Sequence, residues 1–252
     1  MPEQLATAAI VIIGNEILSG KVKDENSHYL CRELRDLGVE VRSIVTIPDD
    51  TETIGNVVRQ ASEKYTWVFT SGGIGPTHDD LTVPSIAAGF QTPLVRSEKL
   101  AKLISGYYGK EVNEAHLRMA MIPEGSELLY DQSKRVSQIL FHNILIFPGI
   151  PRLLQRRFQT FRERFRSNPI YLHQIFLSCD EGQIAHLLDQ TLVTFPELQL
   201  GSYPRTKDEE EHEVKLTLES REVAYLQEAA NYLLEQIPPQ FILRNESPLK
   251  TC

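Results

Sequence analysis

Two adjacent aspartates, Asp79 and Asp80, follow a run of three glycines in the string Thr70-Ser71-Gly72-Gly73-Ile74-Gly75-Pro76-Thr77-His78-Asp79-Asp80-Leu81-Thr82. Glycine lets a backbone take φ > 0 and approach a ligand closely. The N–H groups of such a turn, backed by the N-terminus of a following helix, form a nest for an anion. Ser71, Gly72, Gly73, Ile74, Gly75, Thr77 and Thr82 are therefore candidates for holding a phosphate. Carboxylates beside that nest would repel a bare phosphate. A divalent cation bridging carboxylate and phosphate oxygens removes the conflict, which makes Asp79 and Asp80 candidate metal ligands. The competing reading is a tight turn in which Asp79 or Asp80 caps the next helix. It explains one aspartate more easily than two, and it does not require the third glycine.

Two more polar groups fall where strands should end. Gly14-Asn15-Glu16 follows the apolar run Ala8–Ile13, and Pro48-Asp49-Asp50 follows the alternating stretch Val39–Ile47. Ligands of open α/β sheets bind outside the carboxyl ends of strands. Glu16, Asp49 and the Asp79/Asp80 pair would thus converge on one crevice. Asp24 and Asn26 lie on the same rim, between the first strand and its helix, as a further metal ligand and a nucleotide-binding group. Helix capping competes for Asp24 and Asn26. A solvent-exposed loop acid competes for Glu16.

Other matches fail on spacing. Gly14…Gly20-Lys21 has five residues between its glycines and Val22 after the lysine. A Walker A loop needs four, and a hydroxyl for magnesium. Arg32-Glu33-Leu34 lacks the paired glutamates of a Nudix helix, and His212-Glu213 lacks a zincin's second histidine.

The elements that must position the candidates alternate. Ala8–Ile13, Val39–Ile47 and Trp67–Thr70 read as strands. Helical patterns run from Asn26 to Gly38, from Asp50 or Thr51 onward, and near Val83–Gly89. Alternation of strand and helix implies βαβ units and a parallel sheet covered on both faces, a three-layer α/β domain. Helices over Glu98–Tyr108 and Asn113–Met121, a strand at Ile144–Phe147 and an arginine-bearing helix complete it. Ser167-Asn168-Pro169 reads as a linker. Residues 1–167 are one expected domain and residues 168–252 a smaller α+β domain of βαββα pattern. In the latter, strands are expected at Tyr171–Ser178, Leu198–Tyr203 and Glu213–Leu218, and helices at Glu181–Leu192 and Ala224–Gln236. Asp208–Glu211 reads as a hairpin tip.

Composition narrows the function classes. The chain of 252 residues has a net charge of −8. That argues against nucleic-acid binding, because the one basic cluster, Arg152 to Arg166, reads as a solvated helix side. Three scattered cysteines support neither a disulfide framework nor a zinc knuckle, so a reducing cytoplasm is expected. No apolar run approaches the roughly 20 residues of a membrane span, and no membrane partner is expected.

GNEILSGKVKDENSHYL, IPDD, TSGGIGPTHDDLT and FPGIP together resemble the molybdopterin-binding-like family, which includes MogA, MoeA and the N-terminal domain of CinA. The likeness is greatest to the branch found in animal FAD synthase. It extends through Asn168-Pro169, Asp180-Glu181, Leu200-Gly201-Ser202-Tyr203-Pro204 and Val214–Leu218. Tyr130–Arg135 stands where CinA-type chains carry an Asn-Gly-Pro stretch. The resemblance implies metal-dependent hydrolysis of a nucleotide pyrophosphate of the FAD or ADP-ribose class. It implies magnesium or cobalt, with potassium, as ions, and a homodimer. In molybdenum-cofactor members, aspartates at positions like Asp49 and Asp80 support adenylyl transfer to molybdopterin. Neither a CinA amidohydrolase domain nor an ATP-pyrophosphatase domain is recognised, so nicotinamide-mononucleotide deamidation and FAD synthesis are not expected of this polypeptide.

The leading expectation is therefore a metal-dependent nucleotide pyrophosphatase. Its catalytic set is Asp49, Asp80 and Glu16, with either Glu16 or Asp49 orienting water. Its metal set is Asp79, Asp80 and Asp24. Molybdopterin binding or adenylyl transfer is the second expectation, and a non-catalytic nucleotide-binding module the third.

Overall fold

The computed structural model describes residues 5–131, 137–205 and 212–250, with side chains to 246. They divide into two compact units, Met1–Arg35 with Val39–Ser167, and Asp36–Gly38 with Asn168–Cys252. The first unit runs β1 (Thr7–Ile13), α1 (Asn15–Leu18), α2 (Asn26–Asp36), β2 (Glu40–Ile47), α3 (Thr51–Lys64), β3 (Trp67–Ser71) and α4 (Thr82–Gly89). It continues through β4 (Leu94–Arg96), α5 (Glu98–Tyr108), α6 (Glu114–Arg118), β5 (Met121–Pro123), β6 (Glu127–Tyr130), β7 (Ser137–Phe141), β8 (Ile144–Phe147) and α7 (Pro151–Phe161).

The main sheet has the order β2-β1-β3-β8-β7-β6. β2, β1, β3 and β8 are parallel, and β7 and β6 close the edge antiparallel. β1 is buried from Ala8 to Ile13, as a strand covered on both faces must be. On one face Ile54 and Val58 of α3 and Ile86 of α4 pack with Val11, Val68 and Ile146. On the other, Phe69 and Phe147 meet Phe158 of α7 and Phe165, with ring centroids 5.1 to 6.3 Å apart. Tyr29 of α2 stands edge-on to Phe158 at 6.0 Å. Burying each of these phenylalanines contributes roughly 2–3 kcal/mol. The sheet thus has helices on both faces, and its parallel strands end together on one rim.

Two parts of the first unit differ from the sequence expectation. The helix expected over Asn113–Met121 stops at Arg118, and Met121 opens β5, paired with β4. Pro123 explains this, because the residue before a proline favours extended backbone. The β6–β7 hairpin was not foreseen. β7 is buried throughout and shows no alternation; Gln138 donates to Ile139 O and Ile146 O at 3.1 and 2.8 Å.

The second unit runs β9 (Tyr171–Leu177), α8 (Glu181–Thr194), β10 (Gln199–Pro204), β11 (Val214–Ser220), α9 (Val223–Gln236) and β12 (Ile242–Lys250). Its antiparallel sheet is ordered β10-β11-β9-β12. Ile184 and Leu188 of α8 and Leu226 and Leu233 of α9 pack against Ile175, Leu177 and Leu216. The pattern is βαββαβ rather than βαββα. β12 escaped notice because charges and Pro248 interrupt its sequence, as suits an edge strand.

Arg162 of the basic cluster pairs with Glu33 at 2.9 Å, Arg164 with Glu127 at 3.4 Å and Arg166 with Glu163 at 2.6 Å. Asp208–Glu211, Gln132–Arg135 and Cys252 lie outside the described residues. Among the described residues no helix is long and apolar enough to cross a membrane.

Candidate functional site

The rim is built from the turns that leave the parallel strands. At the end of β1, Gly14 N–H donates to Ile47 O at 3.2 Å and Asn15 N–H to Asp49 Oδ2 at 2.8 Å. Asp49 is half-buried and oriented by that bond, and no bond is formed at its other oxygen among the described residues. Its neighbour Asp50 caps α3 through the Thr53 N–H at 2.8 Å. The Thr53 hydroxyl and N–H hold the Asp50 carboxyl below the usual carboxylate range. Glu16 is exposed in the first turn of α1, its carboxylate folded over Gly14, where a Cβ would stand 2.6 Å from Oε1.

The glycine turn after β3 is held by contacts that exclude side chains. Gly72 has φ +111°, and a Cβ there would lie 2.0 Å from Ile13 O. Gly73 has φ +62°, and a Cβ there would lie 2.4 Å from Thr82 Oγ1. Thr82 is fully buried; its hydroxyl donates to Gly72 O at 2.8 Å and its N–H to Gly73 O at 3.0 Å. Ile74 packs its side chain into the sheet core. The N–H groups of Gly73, Ile74 and Gly75, three consecutive donors, have no acceptor among the described residues.

Neither aspartate caps α4. Leu81 occupies the N-cap position, with no side-chain cap. Asp80 instead closes the loop, its Oδ2 accepting the Thr77 N–H at 2.8 Å and the Thr77 hydroxyl at 2.6 Å. The carboxylate sits against Gly75, where a Cβ would stand 2.6 Å from Oδ2. Oδ1 of Asp80 accepts no hydrogen bond among the described residues. Asp79 is exposed, and the neighbouring Thr77 side chain and its own backbone N–H hold its carboxyl below the usual carboxylate range.

Asn26 and Asp24 have other work. Asn26 is 6% exposed; its Nδ2 donates to Ser71 Oγ at 2.9 Å and to Gly149 O at 2.7 Å. With both N–H groups spent, only an acceptor, Oδ1, remains, buried and without a partner. An acceptor does not bind a phosphate oxygen, so Asn26 orders the rim rather than holding the anion. Asp24 Oδ1 accepts the N–H groups of Asn26 and Ser27, each at 3.0 Å, and Oδ2 accepts the Ser27 hydroxyl. It caps α2 with both oxygens, the competing role that the sequence allowed for it. No three His, Cys, Asp or Glu side chains gather as a metal-binding group among the described residues.

Two site residues were missed. Gly149 packs on the glycine turn, a Cβ there lying 3.3 Å from Gly72 Cα. The Pro148-Gly149-Ile150-Pro151 string was its signal. Arg118, at the end of α6, donates from Nη2 to Pro76 O at 2.9 Å. Nothing in the sequence around it points to the loop.

Residues 9–167 match the model of a probable molybdopterin binding domain, and residues 169–246 match the middle domain of FAD synthase. A protein of Archaeoglobus fulgidus is 33% identical, over 78% of this chain and 85% of its own length. A probable FAD synthase of Caenorhabditis briggsae is 32% identical, over 94% of this chain and 50% of its own length. The chain therefore spans about half the length of that relative. The crystal structure of CinA, of unknown function, from Thermoplasma acidophilum superposes with a TM-score of 0.59 at 27% identity. It covers 65% of this chain and 99% of that one.

Proposed function

Because the chain belongs to the molybdopterin-binding domain family, we propose that its first unit holds the diphosphate of a nucleotide-type ligand at the Gly73–Gly75 turn and hydrolyses it with a divalent cation. The observation that carries this reading is the row of three consecutive N–H groups left without an acceptor among the described residues, in a turn whose glycines are fixed by contact. Such a row is a nest for phosphate oxygens.

The donor set fits a hard cation. Asp80 offers its open oxygen and Asp79 an exposed, readily ionised carboxyl. Two carboxylates, with phosphate oxygens and water, are how magnesium is usually held. Bound there, magnesium or cobalt would lower the pKa of the attacking water and offset charge on the leaving phosphate. Asp49 orients that water through the oxygen that Asn15 leaves open, and takes its proton. Glu16 is the alternative base. Water adds to one phosphorus, the bond to the bridging oxygen breaks, and two phosphate monoesters leave.

Molybdopterin binding or adenylyl transfer is the second reading, favoured by the description of the matching family. The match of residues 169–246 to FAD synthase favours the first. Incubation with FAD, ADP-ribose, NAD and molybdopterin, with magnesium or cobalt, followed by chromatography, tests both. Cleavage of FAD or ADP-ribose to monophosphates is the expected result. No cleavage of any nucleotide with either metal would overturn the hydrolase reading.

A further inference from the structure

α6 ends in a cation fastened to the glycine turn. Arg118 Nη2 donates to Pro76 O at 2.9 Å, between Gly75, whose N–H has no acceptor among the described residues, and Thr77, which Asp80 clamps. A guanidinium has five N–H donors in a rigid fork. The bond to Pro76 uses one of them, and the others have no partner among the described residues. Arg118 is exposed, and no carboxylate pairs with it among the described residues, although Asp79 and Asp80 belong to the loop it reaches. Several other arginines of this unit behave differently. Arg59, Arg96, Arg162, Arg164 and Arg166 each pair with a glutamate.

This matters for the charge at the turn. The loop carries two acids and no basic residue but His78, in a chain of net charge −8. The diphosphate of a ligand such as FAD or ADP-ribose brings about two more negative charges near neutral pH, and the probe ADP about three, its terminal phosphate having a second ionisation. One divalent cation offsets only part of that sum. Resting on the reading above, we infer that Arg118 is a phosphate-binding residue of this site, contacting the ligand's distal phosphate with the donors that Pro76 leaves free. The carbonyl bond holds the fork in place beforehand, so little side-chain freedom is lost on binding. A charge-assisted contact of this kind is among the stronger hydrogen bonds. The ligand class that follows is one with a diphosphate or longer anionic chain, rather than a neutral nucleoside.

A purely structural role for Arg118, bracing Pro76, gives a different result in the same experiment. The full chain is titrated with ADP and magnesium by calorimetry at low and moderate salt, as wild type, Arg118→Lys and Arg118→Gln, with thermal unfolding of each. Arg118→Gln should weaken ADP about tenfold and flatten the salt dependence, since charge is lost. Arg118→Lys should keep most of the affinity, and all three should unfold at similar temperatures. Unchanged ADP affinity in Arg118→Gln overturns the inference and leaves the nucleotide site standing. Equal losses in both variants with unchanged salt dependence also overturn it, in favour of the brace. A wild type that binds no ADP overturns the nucleotide reading of the turn, and this inference with it.

Discussion

Asn26 Nδ2 lies 2.7 Å from Gly149 O and 2.9 Å from Ser71 Oγ, so one side chain of α2 ties together the ends of β3 and β8. Those ends are already neighbours, since Ser71 pairs with Phe147 in the parallel ladder. Gly149 in turn packs on Gly72. The glycine turn is therefore fixed from below by the sheet and from the side by a buried amide. Its unpaired N–H groups are thus held in place without a ligand, which is the condition for binding an anion at small entropic cost.

Asn26→Ala should destabilise the first unit by about 1–3 kcal/mol, the range for orphaning buried partners. Asn26→Asp should cost more, because a carboxylate would replace two donors and face the Gly149 carbonyl. Urea unfolding followed by near-ultraviolet dichroism checks both. A wild-type midpoint for Asn26→Ala would show that the tie is dispensable.

Gly72 and Gly75 should separate stability from binding. Gly72→Ala puts a Cβ 2.0 Å from a backbone oxygen of β1, at φ +111°, and backbone cannot yield as a side chain does. It should cost upwards of about 3 kcal/mol, strain and overpacking together. Gly75→Ala meets only the Asp80 carboxylate, at 2.6 Å. Its stability should stay within about 1 kcal/mol of wild type, while turnover falls about tenfold as Asp80 is displaced. The reverse ranking would mean that the turn is structural rather than a binding site.

The same contacts explain how far the sequence could be read. The parallel strands were legible because double burial leaves continuous apolar runs such as Ala8–Ile13 and Ile144–Phe147. The glycine turn was legible because positive φ and close approach demand glycine itself at Gly72 and Gly73. Roles that depend on partners were not. Asp24 and Asp80 look alike as loop acids, and only the fold shows one spending both oxygens on α2 and the other keeping one open. Arg118 reaches Pro76 across 42 residues of chain, a pairing that no local pattern carries. β12 was hidden for a related reason. An edge strand needs no apolar alternation, and its place is set by pairing with β9.

In the second unit, His173 predicts a pH dependence of stability. Burial pushes its pKa below the usual 6.5, partly opposed by the Asn245 side chain, whose Oδ1 lies 2.5 Å from Nε2. Nδ1 is buried without a partner, so a second proton there would be an unpaired buried charge. The folded state thus binds this proton less readily than the unfolded state. The contribution to stability is complete above about pH 6.5 and is lost as pH falls from there towards the folded-state value. The unfolding midpoint of the second unit should drop between pH 7.5 and 5.5, and His173→Gln should flatten that drop. An equal drop in wild type and variant would assign the effect to other groups.

The last prediction separates the two aspartates of the loop. Asp80 holds Thr77 with Oδ2 and keeps Oδ1 open, so Asp80→Asn can preserve the clamp with its single oxygen. The amide then replaces the open oxygen by a donor and removes the charge that a hard cation needs. Stability should stay within about 1 kcal/mol of wild type, whereas kcat/KM at saturating metal should fall at least tenfold, about 1.4 kcal/mol of transition-state stabilisation. Asp79 closes no loop and is exposed, so Asp79→Asn should leave the melting temperature unchanged and lower kcat/KM by a similar or somewhat smaller factor. The magnesium concentration that half-saturates activity should also rise in each variant, because both carboxylates hold the cation. Stripping the metal from wild type should abolish turnover until magnesium or cobalt is returned. Wild-type kinetics in both variants, or full turnover in excess chelator, would reduce Asp80 to a loop clamp and Asp79 to surface charge. The turn would then bind phosphate without performing chemistry on it.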